Sequence, residues 1–266
     1  MKEVNSYGWK AVIGSSIGYA MDGFDLLILG FMLTLISGDL GLTTGQAGSL
    51  VTWTLVGAVI GGFIFGTLSD KFGRVRVLTW TIVLFAVFTG LCAFAQGYWD
   101  LLIYRTIAGI GLGGEFGIGM ALAAEAWPAQ HRAKATSYVA IGWQLGVLAA
   151  ALLTPVLLPY IGWRGMFMVG IIPAFVAWFF RAKLHEPEIF VQSKEIKEHS
   201  HTNSFKLLVK DVRTTKTSIG VAILTSVQNF GYYGIMIWLP NFLSKQLGFS
   251  LTRSEERRVG KECRSR

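Results

Sequence analysis

Two aspartates stand three residues apart in Asp22-Gly23-Phe24-Asp25, inside a long apolar run. On a helix such a pair shares a face. Two neighbouring carboxylates in a low dielectric cannot both ionise cheaply, so one of them is suited to carrying a proton. A second apolar run holds one base, Arg105, and one acid, Glu115, ten residues further on. A charge near the bilayer centre costs at least roughly 2.5 kcal/mol, so such residues should face a bundle interior or a water-filled cavity. The chemistry on offer is proton binding and recognition of a small anion. The plainer alternatives are an aspartate pair satisfied by Ser, Tyr or backbone groups, an Arg105 that is a structural partner or snorkels to an interface, and a Glu115 buried as a structural partner. The spacing leaves both sets open. Enzyme chemistry has little to build on. Of four histidines three fall in one polar stretch, Cys92 and Cys263 form no CxxC, and no GxxxxGK[ST] phosphate loop occurs. No metal site, cofactor or catalytic nucleophile is expected.

Those side chains must be held by membrane helices. The chain has 266 residues, 52% hydrophobic and 15% charged, where a soluble domain carries about 25% charged residues. No Asp, Glu, Lys or Arg occurs in 40–69, 77–99, 135–163 or 217–244. Each stretch exceeds the roughly 20 residues that cross the hydrocarbon as a helix. Seven helices are expected, at about 9–36, 48–69, 77–95, 101–124, 136–158, 165–180 and 217–238. The connections after the second, fourth and sixth collect Lys and Arg, whereas 38–47 and 96–99 hold none. By the positive-inside rule the N-terminus is cytoplasmic, in a multi-pass protein of the cytoplasmic membrane. The net charge of +8 follows from this sidedness and does not point to nucleic acid.

Between the second and third helices stands Gly66-Thr-Leu-Ser-Asp70-Lys71-Phe-Gly73-Arg74-Val-Arg76. It resembles the GxxxD(R/K)xGR(R/K) signature of the major facilitator superfamily. Gly66 and Gly73 would permit close backbone approach, Asp70 could sit at a facing helix N-terminus, and Arg74 could pair with a carboxylate on a neighbouring helix. The resemblance implies a gating loop; Lys71, Glu125 and Arg132 stand on the same side, and Glu125, where Glu125-Ala-Trp127-Pro128 closes the fourth helix, is the expected partner of Arg74. The fourth helix, with Gly109, Gly113 and Gly117 in one stripe, resembles the family's RxxxG-containing motif; small residues let membrane helices pack closely. The DGFD element resembles the DGxD of aromatic-acid:proton symporters in that superfamily. The antiporter-type GxxxGPxxGG run is absent from the fifth helix.

The resemblance implies an all-α membrane protein, a six-helix N-terminal transporter half (1–181), a cytoplasmic inter-half loop (182–216) and the start of a second half (217–252), truncated. Residues 253–266 resemble an in-frame translated sequencing adapter, so an artefactual end is expected and the second half is expected to be missing. The expected function is proton-coupled uptake of a small organic anion such as an aromatic acid, sialate or nicotinate. Asp22, Asp25 and Glu115 would couple protons. Arg105, Gln144, Gln228, Asn229 and Tyr232 would bind substrate. A sugar or polyol porter of the same superfamily, or a non-transporting membrane sensor, are the alternatives.

Overall fold

The computed structural model describes residues 6–181, 186 and 211–235. The expected inter-half loop, Glu186 apart, therefore lies outside the described residues for the most part, as does everything from 236 to the end, including Cys263. Contacts divide the chain into two compact units, Met1–His201 and Thr202–Arg266.

The first unit is a helical bundle: α1 (Ser6–Asp39), α2 (Thr44–Phe72), α3 (Arg74–Cys92), α4 (Tyr98–Glu125), a short 3-10 turn (Ala129–His131) and α5 (Arg132–Arg181). Five helices among the described residues are long and apolar enough to cross a membrane. Most of the sequence-derived spans sit inside these helices, which extend by about one turn into the polar flanks. Two boundaries differ from expectation. The fifth and sixth spans are two helices, as expected, but the join between them is shorter: within the run labelled α5 they meet at the single residue Gly162, with φ 65° and ψ −178°. That left-handed φ favours glycine, because a Cβ would clash with the backbone there. The α3 helix ends three residues earlier than expected, at Cys92.

Local chemistry sets the ends. Thr43 and Gln46 form a reciprocal capping box at the start of α2. Gly73, at φ 110°, is the single residue between α2 and α3. Short connections make successive helices antiparallel. The bundle thus has one end carrying Arg74 and Glu125 and an opposite end carrying Asp39 and Arg164. Helix α1 packs mainly on α5, and α2 mainly on α4. In both pairs glycine is the contact. A methyl group at Gly57 or Gly61 would strike the backbone oxygens of Thr106 or Ile110, and one at Gly142 or Gly146 those of Ser16 or Ala20. Lipid offers no hydrophobic drive between helices, so this close backbone approach supplies the packing. Gly109 and Gly113 work the same way against Thr54 and Ala58, but Gly117 has nothing within 4 Å and is exposed. The expected stripe is therefore two glycines long on α4.

The apolar core near the Arg74 end joins Ala11, Val75, Leu78 and Leu122 in one cluster and Val12, Ala123, Trp127 and Val139 in another. The Trp127 indole donates to Gly8 O at 3.0 Å. The second unit, described by itself, contributes α6 (Val212–Tyr233). It begins five residues before the expected start, because Asp211 caps it and accepts from Thr214 N at 2.8 Å. Those bonds from Thr214 hold the Asp211 carboxyl below the usual carboxylate range. With Arg213 and Lys216 in its first turns, α6 is not among the five apolar spans.

Candidate functional site

Asp25 and Arg105, eighty residues apart in sequence, meet inside the bundle. Arg105 Nη1 and Nη2 donate to Asp25 Oδ1 and Oδ2 at 3.0 and 2.7 Å, a bidentate pair. Both residues are 0% exposed. At 1.5 Å per residue, Asp25 lies about 21 Å along α1 from Asp39, near the middle of that helix. The ring of Phe167 stands 5.8 Å from the guanidinium carbon. Cys92 lies beside the guanidinium, and Arg105 Nε has no nitrogen or oxygen acceptor among the described residues. Burying two charges costs several kcal/mol per ion before their attraction is counted, so hydrophobic side chains of similar size would serve packing as well or better. A pair like this is weak evidence for stability and stronger evidence for use.

Asp22, one turn from Asp25, is 1% exposed. Glu115 is 2% exposed and takes a 3.2 Å hydrogen bond from the Thr81 hydroxyl. It lies about 15 Å along α4 from Arg105, toward the Arg74 end. Tyr19, between Ser15 and Asp22 on α1, packs against both Phe116 and Trp143, with centroids 5.0 and 5.1 Å away. Three acids and one base are thus enclosed between α1, α3, α4 and α5.

At the Arg74 end the arginine holds three partners: Asp70 at 2.8 Å, Glu125 at 3.2 Å and the Ser69 hydroxyl at 2.7 Å. The pairing of Arg74 with Glu125 matches the sequence reading. The anion at the α3 N-terminus does not. Glu186 fills that position, accepting from Val75 N at 3.2 Å and Arg76 N at 3.1 Å, while Asp70 turns to Arg74. Gly73 suits this position through its φ of 110°, which side chains rarely adopt, and its missing Cβ leaves room for the Glu186 carboxylate. Gly66 meets nothing within 4 Å and sits inside α2, so its expected close approach is not present. Lys71 and Arg132 are exposed.

Gln144 is exposed on α5. On α6, Gln228 and Asn229 are exposed, Asn229 Nδ2 donates to Thr225 O of its own helix, and Tyr232 stacks edge-on with Tyr233 at 5.5 Å. Arg105 itself spends two of its donors on Asp25, so the expected substrate-binding base and the expected proton site are one pair. Sequence reasoning also missed a cluster at the opposite end. Asp39 Oδ2 accepts from Arg164 Nη1 at 2.6 Å and from the Trp163 indole at 3.0 Å, and Arg164 also reaches Ala95 O at 3.2 Å. Opposite charges at two span ends were the available signal. Among the described residues no group of three His, Cys, Asp or Glu could hold a metal ion.

Among the described residues, long apolar helices packed through glycines and enclosing a buried ion pair define a multi-helix membrane protein. Residues 15–255 match the model of the Major Facilitator Superfamily, and the chain belongs to that family. A Haemophilus influenzae relative that carries a metabolite-transport name is 77% identical over 257 residues, covering 95% of this chain and 63% of its own. The cis,cis-muconate transport protein of Acinetobacter baylyi is 32% identical over 262 residues, covering 97% of this chain and 63% of its own. The chain thus spans about 63% of the length of these curated relatives. A solved D-xylose-proton symporter superposes with a TM-score of 0.72 at 23% identity, over 92% of this chain and 64% of that one, a likeness of fold.

Proposed function

We propose that this chain forms the proton-linked, anion-recognising bundle of a carrier that takes up small organic acids, with its N-terminus in the cytoplasm. The observation that carries the reading is the fully buried, bidentate Asp25–Arg105 pair. A guanidinium fork held by a carboxylate is shaped for any carboxylate. When Asp25 takes a proton it no longer competes for the fork, and the same two N–H groups can donate to the carboxylate of a substrate, with Nε as a further donor. When substrate leaves, Asp25 releases its proton and reclaims Arg105. One site then exchanges a proton for an anion's grip, which ties the two movements together. The muconate-transport name of a relative 32% identical supports an organic acid as cargo. Asp22 and Glu115 extend the acidic groups along the bundle interior toward the Arg74 end. There the Asp70–Arg74–Glu125 network would hold one access state shut, against a second lobe built by a further set of helices.

The test is made with the full chain in proteoliposomes under an imposed pH gradient, acid on the Asp39 side. Muconate or benzoate should accumulate with the gradient, stop accumulating when it is collapsed, and not be displaced by xylose. Accumulation that ignores the gradient removes the proton role. Competition by sugars in place of carboxylates removes the anion role.

A further inference from the structure

The Asp39–Trp163–Arg164 cluster has no part in that exchange, yet it is connected to the ion pair by unbroken contact. The Trp163 indole donates to Asp39. The Trp163 ring meets Phe167 edge-on, with centroids 6.0 Å apart and planes at 89°. Phe167, one helical turn further along α5, lies against the Arg105 guanidinium, and Arg105 grips Asp25. The path leaves α1 at Asp39 and returns to α1 at Asp25. Trp163 is 6% exposed and Phe167 0% exposed, so the two rings fill the space between the half-exposed clasp and the buried pair. Arg164 stacks over the outer Trp163 ring at 4.1 Å and ties it to Ala95 O, just beyond α3. The clasp therefore binds the ends of α1 and α3 to the arm of α5 that follows Gly162.

We propose that Trp163 and Phe167 are a roof that seals the Asp25–Arg105 pair from water on the Asp39 side, and that Asp39 and Arg164 are positioning residues that hold it closed. The geometry stands alone; only its use, admitting protons and anions to the pair from that side, rests on the carrier reading above. Asp39 carries two donors on one oxygen, one of them a guanidinium, and such charge-assisted bonds are the strong ones. Removing the charge loosens both bonds together. The indole then loses its anchor, and Phe167 loses the ring that backs it.

Cys92 reports the state of the roof, since it is 0% exposed and lies beside Arg105. The experiment uses the full chain in sealed proteoliposomes of known orientation, with Cys263→Ser so that Cys92 is the one thiol. A membrane-impermeant sulfonated maleimide is applied from either side. In Asp39→Asn, labelling from the Asp39 side should rise about two- to fivefold, the factor that a half-exposed ion pair supplies. Labelling from the Arg74 side should not change. Trp163→Phe keeps a ring against Phe167 and removes only the indole donor, so it should give a smaller rise with the same sidedness, even if Asp39→Asn folds poorly. Unchanged labelling in either folded variant, or an equal rise from both sides, overturns the roof. Sided labelling with no gradient-driven uptake would leave the roof standing and remove the carrier reading.

Discussion

Replacing Asp25 with Asn tests the buried pair most directly. The carboxylate is the charged partner of a guanidinium that is 0% exposed, with both Nη donors engaged. An amide of the same shape can accept one of those bonds but cannot balance the charge. Removing one member of a buried pair costs roughly 3–5 kcal/mol, because the remaining charge is left buried and uncompensated. Replacing both members with apolar or neutral groups of similar volume is often neutral. Asp25→Asn should therefore lower thermal stability in detergent by on the order of 6–20 °C, taking about 2–4 °C per kcal/mol for a chain of this size. Arg105→Met should cost less, since a lone Asp25 can shed its charge by taking a proton. The double variant should recover most of the loss. Tryptophan-fluorescence unfolding of the four proteins closes the cycle, and uptake measured in parallel should lose its dependence on a pH gradient in every variant lacking Asp25. A coupling energy below about 1 kcal/mol would mean that the pair is hydrated or adaptable, and the argument from its dryness would fail.

Two further outcomes follow from the packing and the loop. Gly61→Leu, whose side chain must occupy the position of the Ile110 backbone, should abolish the monodisperse peak in fluorescence-detected size exclusion, whereas Gly117→Ala, in open space, should leave it unchanged. Arg74→Gln leaves Asp70 and Glu125 facing each other without their cation and should increase labelling of a cysteine placed at the Arg74 end, whereas Lys71→Gln, exposed, should not.

Much of the fold is legible because the bilayer imposes so simple a demand. A helix that must satisfy its own backbone in hydrocarbon has to be long and uncharged, and 40–69, 77–99 and 135–163 announce themselves that way. The division of α5 is legible too, since Pro159, Gly162 and Arg164 interrupt the apolar run, but its abruptness is not: only the φ of Gly162 shows that one residue makes the turn. The site is legible in membership but not in pairing. Asp25 and Arg105 stand out as ionisable residues at depth, yet composition cannot tell which carboxylate an arginine faces across eighty residues of chain. Antiparallel α1 and α4 decide that. Glu186 and Asp39 were harder still, because an acid at the edge of a span looks like ordinary solvated polarity. Nothing in their spacing shows that one caps α3 and the other anchors an indole.

The single-residue join at Gly162 leaves the two arms of α5 without slack. A tilt of the arm that grips α1 must be inherited by the arm bearing Phe167, like two oars on one pivot. Lengthening the hairpin with a few flexible residues would unyoke them, leaving each helix correctly inserted and the machine out of step.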